Sequence, residues 1–273
     1  MKGRVLIVAG SDSGGGAGIQ ADIKAVTCLR AYAMTAITAL TAQNTEGVFG
    51  VHAVPLDFVR QQIHLVLDDL GADVVKTGML ATAEVITAVA EALAEADPEG
   101  RLPLVVDPVM VAKGGHRLLA EEAVEAMRSV LLPRATVITP NLPEAEALLG
   151  GGTIDTVERM EEAARELKAL GPDAVLLKGG HLVGEGPLVD LLIDAEGGLH
   201  RFEGPRLATT STHGTGCTLA SALAASLAQG LDLARATGRA RAYVAQAIAT
   251  APGFGRGHGP LNHAHTVGRF GGV

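Results

Sequence analysis

A cysteine opens a long pattern of small apolar residues directly after a Gly-Thr-Gly turn. The stretch reads THGTGCTLASALAA, in which Gly214, Thr215 and Gly216 precede Cys217. Two glycines allow a tight turn that points successive backbone N–H groups outward, and a helix N-terminus favours an anion there. We therefore predict a phosphate site whose field favours the thiolate of Cys217. The alternative is that Cys217 is a small buried apolar residue, as many free cysteines are.

Three charged residues stand where predicted strands end or the next helix begins. Asp107 ends an apolar run, and Glu144 follows TPNLP. Mg²⁺ is usually held by one or two carboxylates together with phosphates and water, so this pair is a candidate metal site. Taken alone, Glu144 is better explained as a first-turn acid that complements its helix dipole. Lys178 precedes two glycines, and a buried ammonium without an anion beside it is costly, which points to a phosphate partner.

A second glycine-rich stretch, GSDSGGGAG, follows the first apolar run. No G-x-G-x-x-G spacing can be drawn through it, and the residue twenty positions after Gly10 is Arg30 instead of an acid. The chain also contains no Gly-Lys-Ser/Thr, so a Walker A loop is excluded. The glycines form either a flexible turn or a place where the backbone closely approaches another group.

The remaining candidates for chemistry are histidines and one loop. His258, His263 and His265 lie close together in GHGPLNHAH but show no established metal-ligand spacing. His213 either contacts phosphate or fills its turn. The loop VAKGGHRLL, residues 111–119, is a candidate lid because of its glycines.

Composition limits the class of protein. The chain has 273 residues and a net charge of −8, which argues against general binding of DNA or RNA but not against a small anionic substrate. No apolar run approaches the roughly 20 residues that span a bilayer, and the first one is too short for a secretory signal. Two cysteines, Cys28 and Cys217, fit no disulfide framework, so we expect a cytoplasmic protein.

Short apolar runs alternate with helical patterns along the chain. Strands are predicted at 4–10, 34–44, 73–79, 102–110, 136–141 and 174–181, with a turn-rich segment at 45–50. Helices are predicted near 17–31, 56–69, 82–96, 119–131, 143–149 and 155–170, and from 217 to about 250. Two alternating runs at 186–204 predict an antiparallel hairpin at the edge of the sheet.

This alternation predicts a three-layer α/β/α fold with a mostly parallel central sheet and helices on both faces. No linker or repeat divides the chain, so residues 1–273 are expected to form one domain. Ligands of such sheets bind at the carboxyl ends of the strands. Asp107 and Lys178 lie near those ends, GSDSGGGAG follows the first of them, and the last helix is expected to begin at the same edge with Gly-Thr-Gly-Cys.

Eight motifs in order resemble the hydroxymethylpyrimidine/phosphomethylpyrimidine kinases of thiamine biosynthesis, a family with the ribokinase-like fold. They are AGSDSGGGAGIQADIK, ALTAQNT, KTGML, DPVMVAKGG, LLPRATVITPNLPEAEALL, LLKGGH, THGTGCTLASALAA and GHGPLNH. The resemblance implies that ATP phosphorylates 4-amino-5-hydroxymethyl-2-methylpyrimidine and that a second ATP converts the monophosphate to the diphosphate. It also implies Mg²⁺ and a homodimer.

The resemblance assigns roles to individual residues. The implied pyrimidine-binding residues are Gly10, Asp22, Gln43, Met79 and Val109. The implied ATP- and phosphate-binding residues are Lys178, Thr212 and Asn141, with the magnesium-phosphate side at Asp107 and Glu144. The catalytic group comprises Gly214, Thr215, Gly216 and Cys217, where Cys217 would deprotonate the hydroxymethyl oxygen. A thiol needs only a modest fall of its pKa to act as a base near neutral pH.

Two other functions remain open at this point. A pyridoxine or pyridoxal kinase of the same superfamily would phosphorylate a similar hydroxymethyl heteroaromatic ring. A pyrimidine-binding regulator would keep the pocket without catalysing transfer. The amide of Gln43 favours an aminopyrimidine, because it offers donors and an acceptor to the edge of the ring. A dehydrogenase is excluded by the missing dinucleotide fingerprint.

Overall fold

A computed structural model of the chain describes residues 1–110, 121–184 and 186–268. Nine strands form one sheet in the order β3-β2-β1-β4-β5-β6-β7-β8-β9. The strands are β1 Arg4–Asp12, β2 Tyr32–Gln43, β3 Val48–Ala53, β4 Val74–Thr77, β5 Leu104–Val106, β6 Val137–Ile138, β7 Val175–Lys178, β8 Leu188–Ile193 and β9 Leu199–Gly204.

Helices cover both faces of this sheet. They are α1 Gly18–Cys28, α2 Leu56–Asp69, α3 Ala83–Ala96, α4 Glu121–Ala126, α5 Leu142–Leu148, α6 Val157–Lys168, α7 Thr215–Ala228 and α8 Leu233–Ala249. After α4 the chain continues as a π turn, Met127–Leu131, and a 3₁₀ turn, Leu132–Arg134. A further 3₁₀ turn spans His263–Thr266.

The residues of β1 show how the sheet separates two apolar cores. Leu6 and Val8 pack into the core under α2 to α6, whereas Val5 and Ile7 pack into the core under α1, α7 and α8. Successive side chains of a strand point to opposite faces, so a continuous apolar run is needed when both faces are covered. The predicted three-layer α/β/α architecture is therefore confirmed.

Six neighbouring strands, in the sheet order β2-β1-β4-β5-β6-β7, are parallel. The strands at both edges of the sheet pair antiparallel with them. The predicted hairpin at 186–204 is confirmed, because β8 pairs with β7 and β9 pairs with β8. Parallel strands end at the same edge, which brings the loops after β1, β2, β4, β5, β6 and β7 together. That the whole chain forms one domain stays a prediction.

Two details of the predicted elements are wrong. Residues 45–50 were expected to be turn-rich, but β3 begins at Val48 and pairs antiparallel with β2. The turn is confined to residues 44–47, where the Asn44 side chain accepts the amides of Glu46 and Gly47 at 2.8 and 3.2 Å. The helix expected from 217 to about 250 is two helices, because the chain turns at Gly230, whose φ is 85°.

Candidate active site

A cleft lies at the carboxyl ends of the parallel strands, as predicted. Four residues with an expected role in pyrimidine binding line it: Gly10 near the end of β1, Gln43 at the end of β2, Met79 after β4 and Val109 after β5. A Cβ atom at Gly10 would lie 2.5 Å from the Met79 Cε atom, so the missing side chain leaves room for that methionine. The structure therefore brings these four residues to one cleft.

The turn that leads into α7 also lines the cleft. Gly214 has a φ of 80°, and a Cβ atom there would lie 1.9 Å from the carbonyl oxygen of Gly16, so only glycine fits. The Thr218 amide makes the first helical bond, to Gly214 O at 2.9 Å. Among the described residues, the amides of Gly214, Gly216 and Cys217 donate to no protein acceptor. They are available to a ligand in the cleft, which is the arrangement of an anion site.

A cation and two carboxylates lie beside this turn. The Lys178 ammonium is 3.2 Å from Asp107 Oδ1 and 3.9 Å from Glu144 Oε2. The ammonium also lies 3.3 Å from where a Cβ atom of Gly216 would be. The chain itself therefore supplies the anionic partners that a buried Lys178 needs, and the phosphate partner stays a prediction. Burial acts to lower the pKa of Lys178, but the charges of Asp107 and Glu144 outweigh burial and raise it, so Lys178 stays a cation.

Glu144 serves its helix and the cleft together. Its amide donates to Asn141 Oδ1 at 2.9 Å, and its carboxylate accepts the Asn141 amide at 2.8 Å, which forms a capping box at the start of α5. Burial raises the pKa of Glu144 to about 7; Lys178 opposes this and Asp107 adds to it. Asn141 also lines the cleft, but its side-chain oxygen is already used in the cap.

Cys217 lines the cleft, but its protonation differs from the expectation. Burial raises the pKa of the Cys217 thiol to about 12; Lys76 opposes this, whereas Asp22 and Asp107 add to it. The predicted fall of the pKa is therefore wrong for the ligand-free protein. Loss of hydration and two carboxylates outweigh the helix N-terminus and the nearby ammonium.

The glycine-rich stretch from the end of β1 to the start of α1, residues 11–18 (the 11–18 loop), binds a carboxylate of its own chain. Asp12 accepts the amides of Gly14, Gly16 and Ala17 at 2.8, 3.0 and 2.8 Å. Of the two expectations for these glycines, the close approach is correct, and the approached group is Asp12 itself. Burial acts to raise the pKa of Asp12, but the hydrogen bonds from His213 and these amides outweigh it and hold the pKa below its usual range.

His213 connects this loop to the turn before α7. Its Nε2 atom lies 2.8 Å from Asp12 Oδ2 and 3.3 Å from the Gln43 amide nitrogen. Because Asp12 is ionised, the short contact requires that Nε2 carries a proton and donates it. A Cβ atom at Gly16 would lie 2.3 Å from the His213 ring, so the two glycine-rich loops pack directly on each other. His213 fills its turn, which is one of the two roles that were left open.

Two predicted site residues are not among those that line the cleft. Asp22, expected at the pyrimidine, is fully buried in α1 and accepts Lys76 at 2.9 Å and the Ser221 hydroxyl at 2.7 Å. It is held by this ion pair beneath the cleft floor, which Lys76 lines. Thr212 lies just before the cleft, where its carbonyl accepts the Thr215 hydroxyl.

Sequence reasoning missed the roles of Asp12 and Lys76. Asp12 stands two, four and five residues before the amides that it accepts, which is a local signal that the quoted loop already contained. Lys76 lies in the quoted KTGML motif, but its partner is 54 residues away in the chain. Only the tertiary structure shows that pairing.

None of the three C-terminal histidines, His258, His263 and His265, is among the residues that line the cleft. His263 Nε2 is 3.0 Å from the Thr218 hydroxyl, and burial lowers the pKa of His263 to about 4. His265 packs on the ring of Tyr243. The candidate lid, residues 111–119, lies outside the described residues. Within the described residues no helix is both long enough and apolar enough to cross a membrane.

The fold has three layers, and its cleft lies at the strand ends. Free amides at a helix N-terminus, a buried ammonium and two carboxylates meet there, which is the arrangement of a small-molecule phosphotransferase. Comparisons with known proteins agree with this class. The model of the phosphomethylpyrimidine kinase family matches residues 12–262. The hydroxymethylpyrimidine/phosphomethylpyrimidine kinase of Bacillus subtilis is 46% identical over 95% of this chain and 94% of its own.

A bifunctional thiamine biosynthesis protein of Geobacter sulfurreducens is 55% identical over 96% of this chain, which spans about half (52%) of that relative. Among solved structures, a pyridoxal kinase of Bacillus subtilis in an ADP complex has a TM-score of 0.88 at 38% identity and covers 97% of this chain and 98% of its own. The chain belongs to the phosphomethylpyrimidine kinase family, and its fold is ribokinase-like. The expected family and fold are thereby confirmed.

Proposed function

We propose that this protein transfers phosphate from ATP to the hydroxymethyl group of 4-amino-5-hydroxymethyl-2-methylpyrimidine and then to the resulting monophosphate. The observation that carries the proposal is that one cleft is lined by two kinds of group. Gln43 and Met79 line it together with Lys178 and the turn before α7, whose amides are free. ATP turnover with the alcohol and with the monophosphate as separate substrates tests it. Turnover of neither would contradict it.

The chain's own groups account for the transfer chemistry. The amides of Gly214, Gly216 and Cys217 would bind the moving phosphoryl group, where preorganised donors stabilise charge most effectively. Lys178 would bridge a phosphate oxygen and Asp107. Because these groups are already fixed in the protein, little reorganisation is needed when charge shifts during the transfer.

Asp107 and Glu144 suit a magnesium ion that is shared with nucleotide phosphates. Both carboxylates are buried at one side of the cleft, and two carboxylates with phosphate and water are an ordinary Mg²⁺ donor set. The ion would neutralise charge on the phosphates. Among the described residues, no group of three acidic, histidine or cysteine side chains could hold a metal alone.

Cys217 is proposed as the base of the first step only. Its thiol stays protonated in the ligand-free protein, so deprotonation depends on groups that favour the anion. Lys76 and the Gly18 amide act in that direction, and positive charge bound at Asp107 would weaken an opposing carboxylate. The second substrate is a phosphate monoester that is already largely ionised near pH 7, so it needs no comparable base.

The structural likeness to a pyridoxal kinase supports one second candidate function. That relative shares the fold over nearly the whole chain. Gln43 favours the aminopyrimidine, because its amide can both donate to a ring nitrogen and accept from an amino group. The kcat/KM values for the pyrimidine alcohol and for pyridoxal, measured side by side, separate the two. A larger value for pyridoxal would reverse the assignment.

Partners and location follow as further proposals. The edge strand β3 exposes Phe49 and Val51, and an exposed edge with apolar residues suits pairing with a second copy of the chain. We therefore propose a homodimer, which sedimentation equilibrium tests. The net charge argues against a nucleic-acid partner, and two unpaired cysteines support a reducing, cytoplasmic location.

A further inference from the structure

The proposed function gives no role to the glycine-rich segment at residues 253–260, which reads GFGRGHGP. Most of its residues are exposed, and the segment forms no helix or strand. It nevertheless lies between two parts of the candidate site. On one side is the 44–47 turn, which directly follows Gln43, and on the other is the chain that leads to His213 and the phosphate turn.

Backbone hydrogen bonds and an ion pair attach the segment to the 44–47 turn. The His258 amide donates to Thr45 O at 2.8 Å, and the Gly257 amide donates to the Thr45 hydroxyl at 3.3 Å. Arg256 pairs with Glu46 at 3.1 Å. Each contact joins residues more than 200 positions apart, so the turn is held by the far end of the chain.

The same segment is bonded to the chain that enters α7. The Gly259 carbonyl accepts the His213 amide at 3.1 Å, and the Gly259 amide donates to Thr210 O at 3.2 Å. The His258 ring lies 3.4 Å from the Thr212 hydroxyl. The segment therefore bonds both to the turn that follows Gln43 and to the chain that leads into the phosphate turn.

Two glycines of the segment allow this close contact. A Cβ atom at Gly257 would lie 2.1 Å from the backbone oxygen of Thr45, which cannot move without shifting the turn. Gly255 has a φ of 88°, and a Cβ atom there would lie 2.4 Å from both Thr45 Oγ1 and Thr45 Cγ2. Neither position accepts a side chain while the 44–47 turn stays where it is.

The 44–47 turn directly follows Gln43, the residue proposed to bind the pyrimidine ring. Gln43 ends β2, and its backbone is fixed by Ser13, whose hydroxyl accepts the Gln43 amide at 2.9 Å. Beyond it, Asn44 N bonds to Gly47 O at 3.1 Å and closes the turn. A shift of the turn would therefore be transmitted to Gln43 through one peptide unit.

We propose that residues 253–260 are a positioning segment that fixes the separation between Gln43 and the phosphate turn. This inference rests on the proposed function, because it concerns how the pyrimidine substrate is placed for transfer. The segment touches neither reacting group, and it acts by holding the 44–47 turn. A displacement of about 1 Å at a distance from the chemistry can lower a rate by roughly 10²-fold, so this contact should be measurable in catalysis.

The test compares Gly257→Ala with Gly268→Ala, a matched change at a glycine with ordinary φ and no neighbour within 4 Å. In Gly257→Ala, we expect faster hydrogen exchange of the 44–47 amides and a KM for the pyrimidine alcohol raised by about tenfold or more. The KM for ATP should change less than about twofold, because the clash is with Thr45 and not with Thr210 to His213. Gly268→Ala should match the wild type in all three measurements.

A second set of variants decides the question if Gly257→Ala does not fold. The three atoms nearest to a Cβ at Gly255 all belong to the Thr45 side chain, so the double variant Gly255→Ala/Thr45→Gly removes that clash while the backbone strain at residue 255 remains. The double variant also loses the bond from the Gly257 amide to the Thr45 hydroxyl but keeps the bond from the His258 amide to Thr45 O. The KM for the alcohol should rise in the single variant and fall back towards the wild-type value in the double variant. A purely structural defect at Gly255 would give the same KM in both.

Three results would overturn the inference. The 44–47 amides could exchange at the wild-type rate in folded Gly257→Ala, the turn could loosen without any change of KM for the alcohol, or the double variant could fail to restore KM. Failure of the proposed function is distinguishable, since the wild-type protein would then show no turnover of the alcohol before any variant is compared. That result would remove the substrate to which the positioning role refers.

Discussion

Two glycine-rich loops precede helices at the same edge of the sheet, and they use their backbone amides in opposite ways. In the 11–18 loop the carboxylate of Asp12 accepts three amides, so the chain supplies its own anion. In the 212–217 turn the amides of Gly214, Gly216 and Cys217 have no acceptor among the described residues, and Lys178 stands beside them. Glycines before a helix therefore do not by themselves define a ligand site. What defines it is whether the amides remain unpaired.

The largest effect should come from removing the Lys178 ammonium beside the 212–217 turn. We call this turn the open turn, because the amides of Gly214, Gly216 and Cys217 are unpaired. Lys178→Met should lower kcat for both phosphorylation steps by roughly 10²- to 10³-fold, because a preorganised positive charge is lost from the phosphoryl position. Lys2→Met, which removes an exposed lysine far from the cleft, is the matched control. Steady-state kinetics with each substrate measure the effect. An unchanged kcat in Lys178→Met would mean that the open turn is not where phosphate reacts.

The next effect shows whether Cys217 transfers a proton or only positions the ligand. Cys217→Ala should lower kcat for the alcohol by about 10²-fold, the usual contribution of a general base, and should affect the monophosphate much less. Cys28→Ala, outside the cleft, is the control. Rates for the two substrates are compared under saturating ATP. Equal losses in both steps would show that Cys217 only positions the ligand.

We call the 11–18 loop the closed loop, because Asp12 already accepts its amides. Removing the charge of Asp12 should affect stability more than catalysis. Asp12→Asn weakens bonds to three amides and His213, and should lower the free energy of unfolding by about 2 kcal/mol, since charge-assisted bonds to a buried carboxylate are lost. Because the pKa of Asp12 is lowered in the folded state, its contribution is complete above the ordinary carboxylate pKa and is lost as pH falls through the folded value. Urea unfolding at several acidic pH values should therefore show a shallower acid loss in Asp12→Asn. Identical pH profiles would contradict this account of the loop.

The smallest expected effect concerns the reactivity of the Cys217 thiol. With a pKa near 12, the thiol of the ligand-free protein should react slowly with iodoacetamide at pH 8, and its rate should still rise above pH 10. The measurement uses the Cys28→Ser variant, so that only one thiol is followed. A rate that reaches its plateau below pH 8 would restore the lowered pKa that the helix N-terminus alone suggests.

The sequence predicts the open turn better than the closed loop for a physical reason. The Gly-Thr-Gly spacing before Cys217 and the apolar helix after it are local, and local geometry alone sets the direction of the amides. The placement of Gln43 and Lys178 in the same cleft follows from parallel strand ends, which periodicity also predicts. The pKa of Cys217 could not be predicted, because it depends on burial and on Asp22, Asp107 and Lys76, which only the fold brings near.

The same difference between local patterns and long-range contacts explains other parts of the chain. The hairpin of β8 and β9 is predictable from alternating residues around a tight turn, whereas Gly50 interrupts the pattern of β3 and hides it. The Asp22–Lys76 pair joins residues 54 positions apart in the chain, which no local pattern indicates, and the resemblance placed Asp22 at the pyrimidine instead.

A crystal structure with a non-hydrolysable ATP analogue and the pyrimidine alcohol tests the comparison most directly. The account predicts that the terminal phosphate accepts hydrogen bonds from the amides of Gly216 and Cys217 and from Lys178 at about 2.9 Å, with the hydroxymethyl group between that phosphate and Gln43. Asp12 should still accept the amides of Gly14, Gly16 and Ala17. A terminal phosphate bound by the 11–18 loop, with Asp12 displaced, would contradict it.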